Sequence, residues 1–158
     1  MSEIDIVIFM LAGEAYGVPV NKVQEIQNYH LHPVPRAVPD SSDLFEGIIN
    51  LRGQVIPVLD LKQRFGLGHV EPSRKTRYII VDSDPDRIAL LVDSVLEVKK
   101  VKQGIFSPPP ARMKLMAARD CVRGVGKVVK QEKTENDDEI AYLTVLLDVE
   151  KLITQPVA

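Results

Sequence analysis

Three histidines, one cysteine and several spaced acids are the side chains here with catalytic or metal-binding potential. His30 and His32 alternate, so an extended backbone points both imidazoles to one face, where they could hold a metal ion. The ligand set stops there. No CxxC occurs, and the third histidine, His69, stands in the Gly- and Pro-containing stretch 66–77. The three histidines therefore read as surface or loop residues. Cys121 has no partnering histidine motif and reads as a small buried hydrophobe. GVGK at 124–127 resembles half a phosphate loop, but the spaced first glycine and the hydroxyl residue after the lysine are missing. Asp82, Asp84 and Asp86 alternate in DSDPD, yet Pro85 and the lack of a loop glycine and terminal glutamate speak against a calcium loop. The expectation is no catalytic residue, no cofactor and no metal site.

Recognition chemistry is better represented. Lys99, Lys100 and Lys102 could receive an acidic partner, or could protect an exposed strand edge. Glu25 lies among apolar residues in VQEI and is either a contact residue or the wet side of an amphipathic turn. Arg52 stands out most. It interrupts FEGIINLRGQVIPVLDL, a strand–break–strand pattern, at the tip of the break. A guanidinium offers five rigid donors and is weakly hydrated, which suits an interface anchor.

These residues need a framework to hold them. The chain has 158 residues, 45% of them hydrophobic and 27% charged, a globular composition with room for a real core. With 20 basic and 22 acidic residues it lacks the basic field of a general nucleic-acid binder. Its apolar runs, such as Ile88 to Val92, are too short to span a bilayer. The opening MSEIDIVIF has acids where a signal peptide has a basic start, and a single cysteine allows no internal disulfide; both point to the cytoplasm.

Branched and aromatic runs separated by turn residues predict strands at Ile4–Leu11, Tyr16–Val20, Gly47–Leu51, Gln54–Leu59, Tyr78–Asp82, Ile88–Val95, Leu96–Val101, Gly124–Val129 and Ile140–Val149. Asn21 is expected to cap a helical turn with Val23 and Ile26 on one side. Asn50 to Gly53 is expected to form a type I turn with Gly53 as the left-handed bulge residue. A two-residue Arg52-Gly53 turn is the less favoured alternative, because Arg disfavours positive φ. Pro57 places its strand at an edge or a bulge, and Asp60 caps a helix that Gly66 ends. The stretches PVLDLKQRF (57–65) and VLLDVEKLI (145–153) both run from an apolar strand through Leu-Asp into a short helix. This repetition predicts an all-β fold of two similar small barrels with short helices: a first barrel over 15–66, a linker over 66–77, and a second barrel over 78–153 that strand 4–11 can join.

The string G-x-I-N-L-R-G-x-V-I-P-V-L-D-L resembles the signature of the CheW family of chemotaxis coupling proteins. AYGVPVNKVQEI (15–26), HPVPRAVP (32–39), LLVDSVLEVKKV (90–101), GVGK and VLLDVEKL are similar to further family segments, so the resemblance covers nearly the whole chain. It implies two five-stranded β-barrels around a shared hydrophobic core, with chain termini crossing between them. It implies a non-catalytic adaptor between the cytoplasmic tips of methyl-accepting chemotaxis receptors and the regulatory domain of the histidine kinase CheA, with other CheW-like domains as further partners. The adaptor would be cytoplasmic and recruited to receptor arrays. By this resemblance Arg52, Val23, Glu25 and Ile26 face partners, Asn50 and Gly53 shape the loop, and Val34 joins Ile26 in the apolar part of the contact.

Leu-His-Pro at 31–33 and RMKLMAARDC at 112–121 depart from the familiar pattern. As given, the chain carries no receiver, phosphotransfer or ATP-binding domain, so neither a fused coupling–receiver relative nor the kinase is expected. A coupling role in twitching or gliding motility is the alternative within the family. A small metal-dependent or thiol enzyme, using His30 and His32 or Cys121, is the reading from another class.

Overall fold

The computed structural model describes residues 2–32, 45–83, 86–109, 120–133 and 139–153. Val34 with all of the 32–39 connector but His32, most of the 112–121 segment and the acidic loop at 134–138 lie outside them. Ten strands and two helices follow in order: β1 (Glu3–Leu11), β2 (Glu14–Pro19), β3 (Val23–Asn28), β4 (Gly47–Leu51), β5 (Gln54–Asp60), α1 (Leu61–Arg64), β6 (Arg77–Ser83), β7 (Asp86–Val92), β8 (Ser94–Lys102), β9 (Val122–Lys133), β10 (Glu139–Leu147) and α2 (Val149–Ile153).

The strands form two five-stranded sheets, ordered β8-β1-β2-β10-β9 and β3-β6-β7-β5-β4. Both use one topology: two antiparallel pairings, then a parallel one, then an antiparallel hairpin. The parallel pairs are β2 with β10 and β5 with β7. In each sheet the inner strand of the terminal hairpin, β5 or β10, which makes the parallel pairing, runs through an aspartate into a short helix. The repeated Leu-Asp stretches thus occupy equivalent places. Edge strands share no ladder among the described residues; side chains span the gaps instead, as where Lys99 of β8 donates to the carbonyl of Val129 on β9.

The sheets divide the chain differently from the expected cut at 66–77. β3 to β7 make one sheet, and the chain's two ends, β1–β2 and β8–β10, make the other. β2 leaves the expected first unit to lie parallel to β10, while β6 and β7 stay with β5. Partner choice is settled by ladders between residues far apart in sequence, which local patterning does not encode. A second expectation also fails. The helical turn is only Val20–Lys22, and Val23 onward is strand, with a bulge between Val23 and Glu25. Val23 is half-buried and Ile26 is exposed, so they do not form one apolar side. Branched Val23 and Ile26 gain more from the β6 ladder than from an isolated turn of helix.

Burial explains the unbroken apolar runs. On β1, Val7, Phe9 and Leu11 enter a core shared with the second sheet, where they meet residues such as Ile56, Leu59 and Tyr78. Ile6 and Ile8 enter the first sheet's own interior with Ala15, Val128 and Leu146. Tyr16 packs between Phe9 and Phe65, with ring centroids 6.0 and 5.5 Å away. Burial pushes its phenol up to about 12. Pro57 is tolerated because β5 meets β7 only from Val58 onward, leaving β4 as the sole ladder partner at the proline.

Asp60, 2% exposed, fixes the end of β5. Its Oδ1 accepts from the backbone N–H of Lys62 (2.9 Å) and Gln63 (3.3 Å), capping α1, and its Oδ2 accepts from Val70 at 3.0 Å. Gly66, at φ +72, ends the helix. GVGK has a packing explanation as well. A Cβ on Gly126 would stand 2.5 Å from the Ile105 carbonyl oxygen, and one on Gly124 would stand 2.9 Å from Phe106 Cβ. Both glycines let the segment before Ser107 lie against β9, to which Ser107 is bridged at Val125.

Two stability predictions follow from these contacts. Gly126→Ala is expected to destabilise the protein by about 1–3 kcal/mol through overpacking against backbone, whereas Gly104→Ala, with nothing within 4 Å, should stay within about 0.5 kcal/mol. Asp60→Ala should cost about 2–4 kcal/mol, through the lost cap and a buried unpaired Val70 N–H. Urea unfolding of each variant measures both; an unaffected Gly126→Ala midpoint would contradict the packing assignment.

Candidate partner-binding site

Arg52 stands at the tip of the β4–β5 hairpin. Leu51 pairs directly with Gln54, so the loop has two residues, and both have positive φ: +51° at Arg52 and +81° at Gly53. This is the two-residue, type I′ class of turn whose twist matches the flanking strands, not the expected type I turn with a bulge. The register won over the residue preference. A two-residue loop keeps Ile49, Leu51, Ile56 and Val58 on the buried face, and a shift by one would expose them. The Asn50 side chain supports the turn, its Oδ1 accepting from the Gly53 N–H at 3.0 Å. Ala12-Gly13, between β1 and β2, has the same geometry at φ +51° and +80°, so the turn type is a feature of the scaffold rather than of the arginine.

The guanidinium remains 65% exposed and ion-pairs with Glu25 through Nη2 and Oε2. Glu25 is on β3 and Arg52 follows β4, the two edges of one sheet, so the pair spans the sheet's open side. Gln27 donates from Nε2 to the other carboxylate oxygen, Oε1, at 2.6 Å. Together the Gln27 amide, first, and the Arg52 guanidinium hold the Glu25 carboxyl below its ordinary range, outweighing partial desolvation. With a depressed folded-state value, the carboxylate's stabilising contribution is complete above about pH 4.3 and is lost as pH falls through that lower value.

Around this pair the surface is apolar and polar in alternation. Ile48 (42% exposed) and Val55 (60%) lie on the outer face of the hairpin beside Asn50, and Ile26 (37%) projects from β3. Arg87 donates to Gln54 Oε1 at 3.1 Å and pairs with Asp82 at 3.5 Å, linking the hairpin beside its tip to the end of β6. Gln24 also donates to Asp82.

Five of the seven expected contact residues, Arg52, Asn50, Gly53, Glu25 and Ile26, therefore present an exposed or half-exposed surface at or near one sheet's edges. Val23 instead packs partly against the shared core, and Val34 lies outside the described residues. Ile48 and Val55 went unmarked in the sequence because the arms read as wholly apolar; the period-2 alternation in GIINL was the available signal. The His30 ring bonds the Ser73 carbonyl at 3.0 Å, and the His32 backbone carbonyl accepts from the Tyr78 hydroxyl at 2.6 Å. Cys121 is fully buried beside Arg64 at 3.3 Å, and burial pushes its thiol up, away from nucleophilic reactivity.

Comparison with known proteins converges on one family. The CheW-like domain family matches residues 5–157. Chemotaxis protein CheW of Klebsiella aerogenes is 27% identical over 150 residues, covering 95% of this chain and 81% of that protein. Chemotaxis protein CheW of Bacillus subtilis is 30% identical over 126 residues, covering 80% and 76%. Among solved structures, the scaffolding protein TtCheW from Thermoanaerobacter tengcongensis superposes with a TM-score of 0.75 at 32% identity, covering 98% of this chain and 90% of that one. With two equivalent five-stranded sheets and an N-L-R-G hairpin tip, and with a match over nearly its whole length, this chain belongs to the CheW-like family.

Proposed function

We propose that this protein is a non-catalytic adaptor coupling methyl-accepting chemoreceptors to the histidine kinase CheA. The observation that carries the reading is the placement of Arg52: an always-charged side chain, 65% exposed, on a two-residue turn rooted in the shared core. Glycine or asparagine would sit at φ +51° with less strain, so the arginine is better accounted for by what it contacts than by the turn it occupies. Its internal ion pair is exposed and contributes at most about 1 kcal/mol, so a partner carboxylate can replace Glu25 at little cost.

On this reading Arg52 and Glu25 are the polar anchors, with Ile26, Ile48, Val55 and Val34 as the apolar part of the contact. Asn50 and Gly53 fix the loop, and Val23 steadies β3 from below. A receptor tip is a helical hairpin whose apolar ridge would lie on this surface, with the kinase's regulatory domain engaging further surface of the scaffold. The adaptor works in the cytoplasm and is held at receptor arrays by these contacts; among the described residues no helix is long and apolar enough to cross a membrane. Signal passes only if the adaptor binds the kinase's states with different free energy.

The test separates contact from stability. Arg52→Glu should unfold within about 1 kcal/mol of the parent, because the residue is exposed, yet lose tenfold or more in co-sedimentation with receptor-containing membranes and CheA. The double swap Arg52→Glu with Glu25→Arg rebuilds the ion pair internally and should still fail to bind. Parental binding by the single variant, or recovery of binding in the double swap, would contradict a partner-facing role and make the pair a purely structural latch.

A further inference from the structure

Glu46, Asp60 and His69 come from three separate pieces of chain, and one potential ligand atom from each lies within 4.8 Å of the others. His69 Nδ1 stands 3.8 Å from Glu46 Oε2 and 3.8 Å from Asp60 Oδ2. The backbone holds all three in place independently of this contact. Glu46 donates its N–H to the Val58 carbonyl at 2.8 Å. Asp60 is 2% exposed and fixed by the cap of α1. Its Oδ2 also takes the Val70 N–H at 3.0 Å, which pins the loop one residue from His69, while buried Val70 anchors it in the core.

We propose that Glu46, Asp60 and His69 form a three-ligand site for a first-row divalent cation such as Zn²⁺, with water completing the coordination. An imidazole with two carboxylates suits Zn²⁺, Co²⁺ or Ni²⁺, whereas Ca²⁺ and Mg²⁺ require more oxygen ligands. Two ligands at about 2.0–2.2 Å on one tetrahedral ion stand roughly 3.3–3.6 Å apart. The two 3.8 Å separations from His69 need an adjustment of a few tenths of an ångström, and Glu46, within 4.8 Å of Asp60, must swing toward it to close the third. His69 and Glu46 have the freedom to make it, their side chains being 64% and 37% exposed. Asp60 Oδ2 accepts one backbone bond, so a second lone pair is left for the ion. The ion would clamp the loop after α1 to the base of the β4–β5 hairpin, at the opposite end from Arg52.

The probe is Zn²⁺ alone, titrated calorimetrically into the chelator-treated full chain, with Co²⁺ absorption reporting coordination. One equivalent should bind saturably. At an ion concentration about 100-fold above Kd the Tm should rise by roughly 5–10 °C. His69→Ala and Glu46→Gln, both at exposed or half-exposed side chains, should each weaken binding tenfold or more. The double variant His30→Ala with His32→Ala should bind as the parent does. Absence of saturable binding below millimolar Zn²⁺, binding that survives His69→Ala, or binding abolished by the His30/His32 variant overturns the assignment. Asp60 is left intact because its removal also strips the helix cap.

Discussion

Burial of β1 on both of its faces couples the two halves of this molecule. Val7, Phe9 and Leu11 enter the shared core while Ile6 and Ile8 fill the first sheet's interior. Five such side chains, at about 1.5–3 kcal/mol each, contribute on the order of 10 kcal/mol, comparable to the net stability of a whole domain. Because β1 and β2 belong to the sheet completed by β8 to β10, neither end of the chain can detach without opening that core. The sheet formed by β3 to β7 is held against this layer through Tyr78, Ile79, Leu90 and their neighbours, and it carries the Arg52 turn.

Stiffness at the centre contrasts with light fastening at the rims. Among the described residues side chains rather than ladders bridge the sheet edges: Lys99 to the Val129 carbonyl, and Arg52 to Glu25. Lys99 crosses to β9 in this way, while Lys100 and Lys102 lie exposed on the β8 edge, where lysine discourages edge-to-edge association. A rim closed by one exposed ion pair is the part of a rigid protein that can exchange internal partners for external ones most cheaply. That is the property the proposed adaptor role requires of Arg52 and Glu25.

Much of this was legible in the sequence wherever the determining signal is local. Strand runs, the Asp60 cap, the Gly66 stop and the repeated Leu-Asp stretches all rest on neighbours in the chain. The N-L-R-G string carried the family. Long-range choices were not legible. Nothing near β2 indicates that it will run parallel to β10, more than a hundred residues away. The turn at Arg52 was misread because residue preference was weighed without the register that the buried arms impose. Val23 to Ile26 was misread as helix because spacing of three suits a helix until β6 supplies a ladder. Glu25 and Arg52 were each singled out, but their pairing appears only when the edges of the sheet are brought face to face.

The claim that the β3 edge and the β4–β5 hairpin are the contact surface is tested most directly by amide chemical-shift mapping. The isotope-labelled protein is titrated with a receptor-tip fragment. The largest shifts are expected at Glu25, Ile26, Asn50, Arg52 and Gly53. Shifts confined to the β8, β9 and β10 strands, with the hairpin unmoved at saturation, would contradict the account.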